Sequence, residues 1–251
     1  LGLIDGFLEL PHQRLQKLEG LFAGTRVQLA DLGRLKTKYP YIAFMPQWDF
    51  LNFLREAGRR FPSLAVMMST EAVDLLRDGD RIAGVRAKTP EGMIDIAADL
   101  TIACDGRHST VRERAGLQVE DIGAPMDVLW FRAGKGPDET EKVFARVEPG
   151  RMMVTFDRGD YWQCAFVIPK GGYDAVKARG LPALLDEIVR MAPALKSGIA
   201  DVASWDDVKL LTVAINRLTK WAAPGLLCIG DAAHSMSPMG GVGVNLAVQD
   251  A

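Results

Sequence analysis

Gly225-Leu226-Leu227-Cys228-Ile229-Gly230-Asp231-Ala232-Ala233-His234-Ser235-Met236-Ser237-Pro238-Met239-Gly240-Gly241-Val242-Gly243-Val244-Asn245-Leu246-Ala247 reads as a buried strand, an acidic turn, a loop of Pro and Gly, and the start of a helix. Such a loop lets backbone approach a flat, polar ligand closely, because glycine adds no side chain and tolerates positive φ. A carboxylate at the end of an apolar strand is where open parallel sheets bind their ligands. The chain runs from Leu1 to Ala251, and this helix has barely begun by then, so a longer protein is expected.

A second strand-end acid precedes it. Leu100-Thr101-Ile102-Ala103-Cys104 is a continuous apolar run that ends on Asp105-Gly106. The run is expected to be a parallel strand buried on both faces. Asp105 and Asp231 each fit two readings: a turn or N-cap acid, or an acceptor for sugar hydroxyls. The presence of two, each at the end of an apolar strand, favours the second.

The rest of the chain sorts by period. Leu1 to Leu21 reads as helical, with a break at Pro11. Arg26 to Leu35 reads as a short hairpin, and Gln47 to Phe61 as an amphipathic helix with Trp48, Leu51, Leu54 and Gly58 on its apolar stripe. Ala65 to Met68 reads as a strand, and Ala72 to Ala98 as a meander turning at Asp78-Gly79-Asp80 and Pro90-Glu91-Gly92. Val128 to Ala133, Glu141 to Val147, Arg151 to Phe156 and Tyr161 to Ile168 read as an antiparallel sheet, followed by a helix over Leu181 to Ala192 and a strand over Val208 to Ala214. Parallel-type strands thus flank an antiparallel block. The expected fold is α/β with α+β character: a Rossmann-like domain (residues 1–25, 40–118 and 219–251) interrupted by an antiparallel-sheet substrate domain (residues 26–39 and 119–218).

Composition excludes several classes. The formal net charge is -2 and 25% of residues are charged, so no nucleic-acid partner is indicated. No apolar run reaches the roughly 18 residues of a membrane span. Cys104, Cys164 and Cys228 show no CxxC spacing, which argues against a disulfide framework or a metal site. They are expected to be buried thiols of a cytoplasmic protein.

The two acidic turns carry a resemblance. Asp105-Gly106-Arg107-His108-Ser109-Thr110-Val111-Arg112 resembles the D-G-x-x-S-x-x-R motif of flavin monooxygenases of the p-hydroxybenzoate hydroxylase type. Gly230-Asp231 through Asn245 resembles the G-D-A-A-H-x-x-x-P-x-x-G-x-G-x-N motif of the same family, and Met45-Pro46-Gln47 resembles its segment that supplies a Gln or Arg to FAD. The resemblance implies an FAD-dependent enzyme that uses NAD(P)H and O2 to hydroxylate an aromatic small molecule through a flavin C4a-hydroperoxide. It further implies that Asp231 holds a ribityl hydroxyl. Gly240, Gly241, Val242, Gly243 and Val244 bring N–H groups to the isoalloxazine, with Asn245 adding a side-chain contact and Pro238 stiffening the loop. Gln47, Asp105, Gly106 and Arg112 complete the cofactor-binding set. No catalytic residue is named.

Trp130, Arg132 and Trp162 either line a substrate pocket or pack within the sheet, and His234 is read as a packed histidine rather than a proton shuttle. A homodimer is left open. The family's G-x-G-x-x-G turn does not occur in this chain, so poor FAD binding and no activity are expected of these 251 residues alone. The alternatives on the same scaffold are a flavin-dependent halogenase, whose W-x-W-x-I-P signature is absent here, a reductase, and a flavin-binding sensor without turnover.

Overall fold

The computed structural model describes residues 2–136, 145–238 and 241–251 and resolves the chain into two compact units. One comprises Leu1–Val66, Val128–Ile168 and Gly172–Leu211; the other comprises Met67–Asp127, Pro169–Gly171 and Thr212–Ala251. The helices described are α1 (Ile4–Glu9), α2 (Gln47–Gly58), α3 (Thr110–Arg114), α4 (Tyr173–Ala178), α5 (Leu181–Met191) and α6 (Gly243–Asp250).

The first unit is built on a seven-stranded sheet. Its order is Lys209–Leu211, Met126–Gly134, Tyr161–Pro169, Arg151–Asp157, Ala145–Glu148, Lys17–Phe22 and Thr25–Asp31. Alternate residues of two central strands point into one core: Leu129, Phe131 and Ala133 from one, Trp162, Cys164, Phe166 and Ile168 from the other. That alternation follows from the two-residue period of a strand. Helix α5 covers this face with Leu184, Ile188 and Met191, which recur at helical spacing.

The second unit holds the expected meander, Glu71–Asp78, Arg81–Thr89 and Gly92–Ala97, antiparallel throughout. Beside it, Leu226–Cys228 pairs in parallel with Thr101–Ala103 and antiparallel with Ala222–Ala223. A further sheet joins His234–Ser235, Asn216–Leu218 and Val119–Asp121. Leu75, Ile82, Ala103, Val111, Leu218, Leu226 and Cys228 form its core. Asp127 ties its separate segments together. The carboxylate is 3% exposed and accepts from Lys170 Nζ, Gly171 N–H and Val213 N–H, each at 2.9 Å. Burial works to raise the Asp127 pKa, but these donors outweigh it and hold the group below its ordinary value.

The architecture is α/β as expected, but several local expectations fail. Among the described residues up to Leu21, only Ile4–Glu9 is helical; Gln13–Leu15 and Lys17–Phe22 are strands. Lys17–Phe22 pairs with Thr25–Asp31 on one side and Ala145–Glu148 on the other, so distant partners override the local periodicity. The hairpin therefore forms between these two strands rather than within residues 26–35, and Leu32–Arg34 is a 3-10 turn.

These pairings also move a boundary. Residues 1–25 and 40–66 group with the sheet unit, whereas residues 119–127, 169–171 and 212–218 group with the second unit, unlike the expected division. Residues 65–68 form no strand, and Val66, Met67 and Met68 are exposed.

Helix α2 forms as expected, but of its expected apolar stripe only Gly58 is buried. Its contacts run through Phe50 and Phe53 against Phe7, whereas Trp48 is 75% exposed and Leu51 and Leu54 are exposed with it. Cys104 is also exposed. Strand alternation turns Ala103 into the core and puts Ile102 and Cys104 on the outer face, so this strand is buried on one face rather than both. Of the strand expected over Glu141 to Val147, residues 145–147 lie in Ala145–Glu148 and residues 141–144 lie outside the described residues.

Candidate functional site

The parallel pair brings the two acidic turns together. Leu226, Leu227 and Cys228 stand opposite Thr101, Ile102 and Ala103, and Ile229 N–H donates to the Ala103 carbonyl at 2.9 Å. Both chains therefore leave the sheet at the same end, one into Asp105-Gly106 and the other into Gly230-Asp231.

The first turn is closed on itself. Asp105 Oδ1 accepts from Ser109 Oγ, and Asp105 Oδ2 accepts from Val111 N–H at 3.1 Å. Ser109 is buried and caps α3 by accepting from Arg112 N–H at 3.0 Å. Asp105 thus spends both oxygens on the start of α3. Arg112 is 9% exposed; its guanidinium donates to the Arg107 carbonyl at 2.7 Å and the Ala232 carbonyl at 3.1 Å. A planar fork suits two acceptors at once. Arg112 therefore ties the first turn to the second rather than presenting its charge to solvent.

The second turn presents an acid instead of consuming it. Asp231 is exposed and makes no hydrogen bond among the described residues. The turn around it is held by Ala233 N–H on the Gly230 carbonyl at 2.9 Å and by Leu218 N–H on the Ala233 carbonyl at 2.7 Å. Gly230 has φ +57, and a Cβ there would stand 3.2 Å from Ala247 Cβ of α6. Only glycine meets both demands cheaply. Pro238 follows, and its carbonyl accepts from Gly241 N–H at 3.0 Å. Gly241 has φ +64, with nothing within 4 Å of where a Cβ would lie. Val242 then opens α6 without a side-chain cap, so among the described residues no side chain satisfies the first-turn N–H groups of Gly243, Val244 and Asn245.

His234 is packed, as expected, against the Trp221 ring at 5.0 Å. It also meets an acid that no local pattern marks. Asp250, at the end of α6, accepts from His234 Nε2 and from Gly230 N–H, both at 2.7 Å. A lone acid on a helix reads as a solvated face, and only the fold reveals this contact.

Other candidates lie elsewhere. Gln47 is the first residue of α2, in the sheet unit. Trp130 stacks on Phe156 at 6.0 Å, and Phe156 meets Phe44 at 5.6 Å. Arg132 is exposed and lies over the Tyr161 ring at 4.8 Å. Trp162 does not join them: alternation puts it on the opposite face, in the α5 core. Gly240 lies outside the described residues.

The buried thiols are poor nucleophiles. Burial pushes Cys164 up to about 12, and burial together with the nearby Asp105 charge raises Cys228. Among the described residues no cluster of metal-ligating side chains occurs, and no helix is long and apolar enough to cross a membrane.

An exposed carboxylate with no partner among the described residues, an uncapped helix start and a positive-φ glycine are the kinds of group that suit a flat ligand bearing both hydroxyls and carbonyls. FAD has such an end. Comparison with known proteins agrees. The chain is 32% identical over 223 residues to 6-methylpretetramide 4-monooxygenase from Streptomyces rimosus, covering 88% of this chain and 53% of that protein. It is 24% identical to para-nitrophenol 4-monooxygenase from Pseudomonas sp. (strain WBC-3), covering 86% and 53%. The chain spans about half the length of these curated relatives. Among solved structures, the myxobacterial chondrochloren halogenase CndH superposes with a TM-score of 0.81 at 18% identity, over 99% of this chain and 59% of that one, a likeness of fold. The family model described as "FAD binding domain" matches residues 1–251, and with both acidic turns side by side at one sheet end, the chain belongs to the FAD-binding domain family.

Proposed function

We propose that the whole protein is an FAD-dependent monooxygenase that uses NAD(P)H and O2 to hydroxylate an aromatic small molecule, and that residues 1–251 supply the ribityl and isoalloxazine side of its FAD site. The observation that carries this reading is the Asp231 carboxylate, exposed and without a partner among the described residues, on a turn that packs against α6 through Gly230 and Ala247, together with the uncapped start of that helix. The names of the two relatives above support the reaction class, and para-nitrophenol in one of them supports an aromatic substrate.

When bound, FAD takes hydride from NAD(P)H and activates O2. The chain's own residues bind and orient it. Asp231 accepts hydrogen bonds from ribityl hydroxyls. Gly240, Gly241 and Gly243 add no side-chain bulk on the approach to the ring, Val242, Gly243 and Val244 offer N–H donors at the start of α6, and Asn245 adds an amide. The positive end of α6 favours negative charge on the reduced ring. Pro238 limits the loop's freedom. Asp105, Gly106 and Arg112 hold the first turn against the second. Trp130, with Phe156 and Phe44, offers an aromatic face for substrate, and Arg132 borders that sheet.

The test is NAD(P)H oxidation by the full-length flavoprotein across a panel of phenols and larger aromatics, with products weighed by mass spectrometry. A stimulated rate with a product one oxygen atom heavier is expected. A product that requires halide would instead select the halogenase reading, and negligible oxidation with every aromatic would select a flavin-binding sensor.

A further inference from the structure

Asp250 stands outside every motif named above, yet it holds both ends of the turn that carries Asp231. A single oxygen, Oδ2, accepts from Gly230 N–H on one side and His234 Nε2 on the other, each at 2.7 Å. An ionised carboxylate only accepts, so Nε2 of His234 carries the proton that it donates. Burial works to raise the Asp250 pKa, but the Gly230 N–H and the hydrogen bond and charge of His234 outweigh it and hold the group below its ordinary value. The acceptor is therefore charged at neutral pH, and its bonds are of the stronger, charge-assisted kind.

The residues it holds bracket Asp231, Ala232 and Ala233. Arg112 donates to the Ala232 carbonyl, and Trp221 flanks the imidazole. Among the described residues, no side-chain hydrogen bond holds Asp231 itself. A carboxylate with two rotatable bonds can point at a ligand only as steadily as its backbone is held.

We infer that Asp250 is a positioning residue of the FAD site, which aims Asp231 through Gly230 and His234. The inference rests on the reading that Asp231 meets the ribityl chain.

The test is a double-mutant cycle on FAD affinity in the full-length protein, read by quenching of flavin fluorescence. Asp231→Ala is expected to weaken FAD binding about tenfold, the scale of one charge-assisted hydrogen bond. Asp250→Ala should weaken it comparably. The double variant should bind within about twofold of Asp231→Ala alone, because coupled residues do not add. Asp250→Asn keeps an oxygen acceptor and should recover most of the loss, which a generally destabilised protein would not do.

If Asp231→Ala binds FAD like the parent, the site reading falls, and this inference with it. If Asp231→Ala is weakened but Asp250→Ala is harmless or fully additive, Asp250 alone loses its role. Where Asp250→Ala does not fold, His234→Phe, which keeps a ring against Trp221 and removes the donor, decides the cycle by the same criterion.

Discussion

At the scale of single residues, charge in this site divides by destination. Asp105 and Arg112 are hydrogen-bonded within the fold, whereas Asp231, exposed as Asp105 is, has no side-chain partner among the described residues. Arg112 is the clearest case. Read as sequence, it belongs to the cofactor-binding set that the resemblance implies; folded, its donors reach two backbone carbonyls on separate turns. A lysine keeps the charge but brings no planar fork, and so loses one of the two bonds. Arg112→Lys is expected to cost about 1 kcal/mol of stability, the net worth of one such hydrogen bond, measured as a lowered urea midpoint. A midpoint equal to the parent's would show that the bridge between the turns carries no weight. The two-sided role was not legible beforehand, because the Ala232 carbonyl is 120 residues away in sequence. What was legible was the pair of strand-end acids, since each closes an apolar run with glycine beside it.

At the scale of elements, legibility follows how local the determinants are. The meander of residues 71–97 was readable because its turns carry their own chemistry, Asp-Gly-Asp and Pro-Glu-Gly. Helix α5 was readable because its apolar positions recur at helical spacing. Lys17–Phe22 was not readable, because its strand character comes from Ala145–Glu148 across the sheet. The face of α2 was misread because Phe50 and Phe53, not the Trp48 stripe, meet Phe7. Helix α5 also sets an energetic expectation. Ile188 is fully buried among Leu184, Leu195 and the sheet residues beneath. Ile188→Ala removes buried methyls and leaves a cavity, a loss of about 2–5 kcal/mol. Chemical denaturation of that variant should show the loss with an unchanged slope, whereas a shift under about 1 kcal/mol would mean that the helix is not seated on the sheet as described.

At the scale of the whole molecule, the pH dependence of stability should betray how the second unit is pinned. Asp127 and Asp250 both have carboxyl pKa values held below the ordinary one. The unfolded chain therefore binds protons at these sites before the folded one does. Their stabilisation is fully present above the unfolded value of about 3.9 and is lost as pH falls through the lower folded value. Urea midpoints should accordingly be flat with respect to these groups from pH 7 to about 5 and fall steeply below about 4. Asp127→Asn separates the cause. It leaves the shape but weakens acceptance from Lys170, Gly171 and Val213, so the variant should lose about 1–3 kcal/mol at pH 7. Having no proton to gain at that position, the variant should also show a shallower acid limb than the parent, so that the two curves converge toward pH 3. Curves that stay parallel from pH 7 to pH 3 would mean that Asp127 is not the group whose protonation releases residues 169–171 and 212–213 from the strand that carries it.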